Sequence, residues 1–133
     1  MNFDAFIFKY GVHVAGGDVD GDGFDDIAAA PGPGPANATR CKGFEYDGVA
    51  VAPLPGFDIV PFPTLYGADA GLGDLTLDGV ADLVVGAGRD PSADSAVRGY
   101  AYQGGALIAI PGTPFLPFSD LFGVKVAIAA LAY

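Results

Sequence analysis

A repeat of 56 residues constrains the fold of this chain more strongly than any other feature of its sequence. The pair Tyr10-Gly11 recurs as Tyr66-Gly67 and again as Phe122-Gly123. Further pairs keep the same spacing without insertion or deletion: Asp18 and Asp74, Asp22-Gly23 and Asp78-Gly79, Asp26-Ile27 and Asp82-Leu83, Gly43-Phe44 and Gly99-Tyr100, and Pro55-Gly56 and Pro111-Gly112. A fixed period of this length predicts one supersecondary unit per repeat, each packed on its neighbours.

The repeat divides the chain into four segments. Residues 10–65 form the first copy and residues 66–121 the second, whereas residues 122–133 keep only the opening pair and an apolar strand. In that incomplete third copy, Ala130 replaces the first aspartate of the other copies. Residues 1–9 align with the end of a copy, so we predict that they are the tail of a preceding repeat or an N-terminal strand.

The composition and the apolar pattern favour a β architecture. Glycine and proline contribute 21 and 11 of the 133 residues, which predicts many tight turns. The continuous apolar runs at 27–30 and 83–85 are typical of strands buried on both faces. The Pro-rich segments 53–63 and 109–117 fit outer strands, where missing N–H donors matter least. Four strands per copy match a propeller blade, so we predict an all-β fold of four-stranded antiparallel blades, two complete, with the first strand of a third.

The charge of the chain excludes some classes of partner. A formal net charge of −10, with only six Lys and Arg, leaves no basic surface for nucleic-acid phosphates. No apolar run reaches the roughly 18 residues of a membrane span, so we expect no membrane insertion. The lone Cys41 can form no internal disulfide and is expected to be a small buried side chain.

The stretch from Asp18 to Asp26 contains five aspartates in nine residues. Carboxylates this dense repel one another unless a cation lies among them, and calcium accepts six to eight hard oxygen ligands in a flexible geometry. Gly23 supplies a sharp turn that lets the next carbonyl point back at an ion. The predicted ligands are the side chains of Asp18, Asp20, Asp22 and Asp26 and the main-chain carbonyl of Phe24.

The second copy carries a weaker version of this loop. Three of the four spaced carboxylates are kept, and Thr76 replaces the fourth. A neutral hydroxyl is a poorer ligand than a carboxylate, so we predict a second calcium site of lower affinity. Its predicted ligands are the side chains of Asp74, Thr76, Asp78 and Asp82 and the main-chain carbonyl of Val80.

An Asp-x-Asp-x-Asp-Gly string also opens an EF-hand, which is the main alternative for the first loop. An EF-hand requires a bidentate Glu at the twelfth loop position, and that position is Ala29 here. The flanking segments also have the pattern of strands rather than of amphipathic helices. The shorter loop closed by Asp26 is therefore the better interpretation.

These motifs together resemble the FG-GAP repeat, the calcium-binding blade of integrin α-subunit propellers and of many bacterial and archaeal surface proteins. The opening pair is the Tyr-Gly or Phe-Gly of each copy, and a Gly-Asp pair, Gly17-Asp18 or Gly73-Asp74, leads into each acidic loop. The closing motif is represented by Ala29-Ala30-Pro31 and Gly86-Ala87-Gly88, each one residue from the pattern. The resemblance implies that the acidic loop joins the first two strands of a blade, and that the protein works outside the cell or at its surface.

The sequence offers little support for catalysis, and we expect no enzyme activity. His13 aligns with Asp69 and Lys125 in the other copies, and the only Glu, Glu45, has no acidic partner in the repeat. The triplet beginning at Asn37 matches a glycosylation acceptor, which would suit an extracellular protein.

Propellers need four to eight blades, and this chain supplies two and part of a third. It could be a piece of a longer propeller, or copies could assemble into a closed ring or a head-to-tail fibre, with 122–133 as an open edge and 1–9 as its complement. We predict a structural or adhesive integrin-like protein whose partners are further copies or repeats, with an extracellular protein or glycan as a possible ligand. The alternative is an accessory binding domain of a larger secreted enzyme.

Overall fold

The computed structural model describes residues 3–7 and 9–129, and in this part of the chain every regular element is a β-strand. Eight strands form two four-stranded antiparallel sheets with consecutive strand order. The first sheet, blade 1, contains β1 (Val12–Gly17), β2 (Asp26–Pro31), β3 (Cys41–Tyr46) and β4 (Val51–Ile59). The second sheet, blade 2, contains β5 (Ala68–Gly73), β6 (Asp82–Ala87), β7 (Val97–Gln103) and β8 (Ala106–Ala109). The predicted all-β architecture of two four-stranded blades is confirmed.

The apolar pattern of each strand matches its place in the sheet. All six residues of β6 are buried, because this strand has a neighbour on each side and a packed surface on each face. The prolines of β4 lie on the outermost strand of blade 1, where a lost N–H donor breaks no ladder. In blade 2 the outer strand is shorter, and the chain returns at Phe115 to exchange two 3.0 Å hydrogen bonds with Val97.

One hydrophobic core fills the space between the two blades. The side chain of Leu72 on β5 lies against Gly17 at the end of β1, where an added Cβ would come within 3.1 Å of the Leu72 Cβ. Towards the outer strands, the rings of Phe57 and Tyr102 pack with their centroids 6.0 Å apart. The Tyr102 hydroxyl then donates to the Pro55 carbonyl at 2.7 Å, which ties β7 of blade 2 to β4 of blade 1.

The aromatic-glycine pair that opens each copy forms a left-handed turn. The φ angles of Tyr10, Tyr66 and Phe122 are 76°, 66° and 77°, a conformation that aromatic residues rarely adopt. The first of these turns lies against Gly32, whose N–H donates to the Gly11 carbonyl at 2.9 Å. The conformation recurs in all three copies, each time directly before a glycine that also has a positive φ angle.

The incomplete third copy lies on blade 2. Within the described residues, 122–129 pair with no strand, so the predicted first strand of a third blade has no sheet partner there. The segment is held instead by hydrogen bonds from the Val124 N–H to the Ala87 carbonyl and from the Val126 N–H to the Asp69 carboxylate. Ala130 lies outside the described residues.

Replacing Gly32 with Ala is expected to destabilise the protein, because a Cβ at this position would overlap the carbonyl oxygen of Tyr10. Overpacking of this kind costs about 1–3 kcal/mol, which would lower the melting temperature by several degrees. Gly16→Ala is the matched control, since its Cβ would meet nothing closer than the Asp26 carbonyl oxygen at 3.7 Å. Thermal unfolding of the two variants should separate them, and equal melting temperatures would contradict the close approach.

Candidate metal centre

The acidic loop of the first copy joins β1 to β2 at one end of blade 1. The two strands are paired from Val12 opposite Pro31 to Gly17 opposite Asp26, so the loop begins and ends at neighbouring positions. A connection of this length must turn sharply, and Gly21 and Gly23 both adopt positive φ angles, of 81° and 92°. The strand pairing therefore fixes both ends of the loop while the glycines fold its middle back towards Asp18.

Carboxylate oxygens inside the loop accept hydrogen bonds from its own main chain. Asp18 uses one oxygen for the Gly21 N–H at 2.7 Å and the other for the Gly23 N–H at 3.0 Å. Asp22 accepts from the Phe24 N–H at 2.8 Å. These bonds hold the loop in a compact shape and leave further lone pairs on the same oxygens.

The side chains of Asp18, Asp20 and Asp22 form a cluster in which one carboxylate oxygen of each lies within 4.8 Å of the others. The three predicted side-chain ligands from the first part of the loop are thus brought together. Oxygen atoms at this separation can all contact one ion, because calcium binds oxygen at 2.3–2.6 Å. The donor set, three carboxylates with no nitrogen or sulfur, suits a hard cation such as calcium.

Asp26 lies outside that cluster and is almost fully buried, with 1% of its surface exposed. One of its oxygens accepts from the Val19 N–H at 3.1 Å and the other from the Tyr46 N–H at 3.2 Å. Burial raises the pKa of the Asp26 carboxyl, an effect that the two N–H donors oppose and the charges of Asp20 and Asp22 reinforce. Asp26 therefore ties the loop to β3, and its role as a fourth side-chain ligand stays a prediction.

The loop of the second copy has the same backbone shape. Asp74 accepts from the Gly79 N–H at 2.9 Å, which is the counterpart of the bond between Asp18 and Gly23. Leu77 adopts a φ of 61° at the position of Gly21, although a branched side chain is strained in this region. The second loop thus keeps the turn of the first loop although leucine is unfavourable at this position.

The donor set of the second loop differs from that of the first. Asp74 and Asp78 are not part of any group of three clustered ligand residues in the described chain, because Thr76 occupies the intermediate position. Asp82 accepts the N–H groups of Leu75 and Thr76 through a single oxygen, Oδ2, at 2.8 and 2.7 Å. Its other oxygen, Oδ1, is buried without a hydrogen-bond partner. A buried unpaired carboxylate oxygen is costly, and a cation would satisfy it.

Contacts between the two loops were not predicted from the sequence. The Ala81 N–H of the second loop donates to the Asp18 carbonyl oxygen of the first at 2.6 Å. Val80, whose carbonyl is a predicted ligand, places its side chain within 3.2 Å of the position a Cβ on Gly21 would take. The fixed repeat of 56 residues was the one signal of this proximity, because stacked repeats bring equivalent loops side by side. The two acidic loops are therefore in direct contact.

The other residues singled out from the sequence have mainly structural roles. His13 lies beside Asp69, with Nδ1 3.3 Å from Oδ1, and so joins β1 to β5. Cys41 is buried as predicted, and burial raises the pKa of its thiol to about 12. Asn37 is also buried, and its amide donates to the carbonyls of Lys9 and Gly32 at 2.9 Å. A glycan would replace one hydrogen of this amide and so remove one of the two bonds, and the asparagine is buried in the folded chain.

The family model described as FG-GAP repeat matches residues 10–41, from the first left-handed turn to the first residue of β3. Residues 10–41 therefore resemble an FG-GAP repeat. The matched segment contains the whole acidic loop and both of the strands that it joins, as the resemblance implied. No curated protein and no solved structure gives a significant match to the chain. No described residue lies in a helix long and apolar enough to cross a membrane.

The buried carboxyl of Asp26 predicts a characteristic pH dependence in calcium-depleted buffer. Its pKa is higher in the folded than in the unfolded chain, so the folded state retains a proton that the unfolded state has lost. The stability contributed by this group is present at low pH and is lost as the pH rises through the folded pKa.

Urea unfolding of the wild type and Asp26→Asn, from about pH 4 to pH 7, measures this contribution. The stability of the wild type relative to the variant should decrease with rising pH. Hydrogen bonds lower the pKa values of Asp47, Asp58 and Asp90, so the stability that these groups contribute changes with pH in the opposite direction. Their contributions are the same in both proteins and cancel when the stability of the variant is subtracted from that of the wild type. A difference that grows with pH would contradict the effect of burial.

Proposed function

We propose that this chain is a calcium-binding, integrin-like FG-GAP repeat protein with a structural or adhesive role outside the cell. In this proposal, calcium at the first loop holds β1 and β2 together, and a weaker site at the second loop does the same for β5 and β6. The assembly of further copies or repeats then completes a ring or a head-to-tail fibre. An extracellular protein or glycan ligand would bind to that assembly.

The observation that carries the proposal is the carboxylate cluster of Asp18, Asp20 and Asp22 in a loop that matches the FG-GAP repeat. The main-chain bonds to Asp18 and Asp22 fix the loop shape through the chain's own atoms, which lowers the ordering cost of binding an ion. A bound calcium ion would neutralise the mutual repulsion of the carboxylates. The chain's own residues supply the orientation: strand pairing holds Gly17, next to Asp18, opposite Asp26, and the N–H groups of Val19 and Tyr46 hold the Asp26 carboxylate.

The second site is proposed to be weaker for two reasons visible in the loop. Thr76 offers a neutral hydroxyl where the first loop has the carboxylate of Asp20. Leu77 holds a left-handed conformation that glycine adopts at no steric cost, so an ordered second loop retains strain. The unpaired Oδ1 of Asp82 is the feature that favours an ion there despite these costs.

The proposed assembly is supported by exposed apolar surface. Extracellular calcium modules have dissociation constants of about 10⁻⁴ to 10⁻³ M, so an extracellular setting would allow even the weaker second loop to bind calcium. Large apolar side chains are exposed at both ends of the chain: Tyr10, Val12 and Val14 on one side, and Leu116, Phe118 and Phe122 on the other. Surface of this kind is typical of protein interfaces. The role proposed is binding rather than catalysis, which is consistent with the buried, protonated thiol of Cys41.

Isothermal titration with calcium should resolve a tighter and a weaker class of site. Asp78→Ala should remove only the weaker class, because the residue belongs to the second loop. Asp22→Ala is the matched variant at the equivalent position of the first loop, and it should remove the tighter class. Two indistinguishable sites in the wild type, or loss of the tighter class in Asp78→Ala, would contradict the assignment.

A further inference from the structure

The joint between blade 1 and blade 2 shows how this chain packs one blade on another. Ala68 and Ala70, on one face of β5, are 3% and 7% exposed because they lie against blade 1. The equivalent residues of β1, Val12 and Val14, are 49% and 64% exposed in the described part of the chain. The same positions of the repeat are thus buried in one blade and open in the other.

Residues 122–129, which we call the C-terminal cover, take the place on blade 2 that β5 has on blade 1. Val124, Val126 and Ile128 are half-buried and alternate with exposed residues. Ile128 fills the space beside Gly73, where an added Cβ would lie 2.8 Å from the Ile128 Cβ. The cover therefore presents to blade 2 the same face that β5 presents to blade 1.

The side chains of the cover repeat those of β1. Val124 and Val126 fall at the repeat positions of Val12 and Val14, and the residues are identical. We call the surface of blade 2 that lies under the cover, beside Gly73 and Gly86, the seat. Because the seat accepts the two valines of the cover, it would also accept the two exposed valines of β1. Blade 1 thus has an exposed face formed by β1. Blade 2 has a complementary face, which is covered by a segment that resembles β1.

The described part of the cover lacks the strand pairing that holds β5 in its own sheet. β5 is paired along its whole length with β6, whereas the described part of the cover pairs with no strand. Its attachment includes the main-chain bonds of Val124 and Val126 and a bond from the Ser95 hydroxyl to the Gly123 carbonyl at 3.1 Å. A cleft of about 500 Å³ also runs beside its first residues, lined by Phe122, Lys125 and Arg89 among others.

The N-terminal segment 3–7 covers part of the open face of blade 1 in the same way. The Lys42 ammonium donates to the Ala5 carbonyl at 3.0 Å and lies 5.1 Å from the Phe6 ring centroid. At the joint within the chain, 56 residues on, Arg98 donates to the Pro61 carbonyl at 2.8 Å and lies 5.4 Å from the Phe62 ring. Segment 3–7 therefore reproduces the contact that a preceding blade makes.

We propose that the C-terminal cover is exchangeable, and that β1 of a second copy replaces it on blade 2 when two copies meet head to tail. The interface formed would repeat the joint between blade 1 and blade 2, with Pro117 and Phe118 taking the place of Ala5 and Phe6 beside Lys42 of the second copy. The acidic loops keep their strands in this exchange, because only the cover and segment 3–7 are displaced. The inference rests on the proposed assembly of copies and names the surfaces that form it.

Weakening the cover in the full-length chain tests this exchange. Val126→Asp places a charge on the half-buried face of the cover and should release it, whereas Ala127→Asp adds the same charge to an exposed position of the same segment. In sedimentation velocity with calcium present, Val126→Asp should associate at least about tenfold more tightly than Ala127→Asp, a difference of about 1.4 kcal/mol. Val126→Ser is a milder variant with the same expected direction.

A second substitution identifies the occupant of the seat. Val14→Asp changes a side chain that is 64% exposed, and combined with Val126→Asp it should abolish the gain in association. Association that persists in the double variant would mean that something other than β1 fills the seat, and the proposal would be wrong. Equal association of Val126→Asp and Ala127→Asp would also overturn it.

Calcium titration of each variant separates this inference from the proposed function. If both classes of calcium site are intact and Val126→Asp gains no association, the exchange is wrong and the calcium assignment stands. If the loops bind no calcium in the wild type, the proposed function fails whatever the state of association. Circular dichroism of each variant confirms that the blades are folded in the samples compared.

Discussion

The crowding of carboxylates between β1 and β2 is the constraint on which the rest of the structure depends. Asp18, Asp20 and Asp22 are close enough for their charges to repel, and the turn that brings them together is closed by their own main-chain hydrogen bonds. The buried Asp26 adds the cost of removing a carboxylate from water. A cation offsets both costs at once, because it neutralises the cluster and favours the ionised form of the buried carboxyl.

The position of this loop connects the candidate metal centre to the packing of the blades. The Asp18 carbonyl accepts the Ala81 N–H from the second loop, beside the point where Gly17 meets Leu72. The first loop is therefore in direct contact with the residues that pack blade 1 on blade 2.

Much of the fold could be predicted from the sequence because the repeat has no insertion. The period aligned the two acidic loops and the two sets of strands, and the apolar runs at 27–30 and 83–85 identified the central strands β2 and β6. The carboxylates of Asp18, Asp20 and Asp22 could be predicted to converge, since alternating residues in a tight loop point the same way. These features depend on the local spacing of residues, which can be read directly from a sequence.

The remaining features depend on contacts between distant segments, which spacing alone does not reveal. Asp26 accepts the N–H of Tyr46 on β3, and nothing in the loop sequence indicates that partner. Asn37 is buried by hydrogen bonds to Lys9 and Gly32, although its triplet has the pattern of an exposed glycosylation site. The left-handed Leu77 is likewise imposed by the shape that the second loop shares with the first. These contacts and this conformation can be predicted only when the pairing of the strands is known.

Thermal unfolding with and without calcium tests the central claim most directly. Differential scanning calorimetry of the full chain would compare a sample in about 1 mM calcium, near the extracellular range, with a sample in excess chelator. The account predicts a melting temperature that rises with calcium concentration, because the ion binds the folded loop and not the unfolded chain. Asp18→Asn should reduce that rise. A melting temperature that is the same in calcium and in chelator would contradict the account.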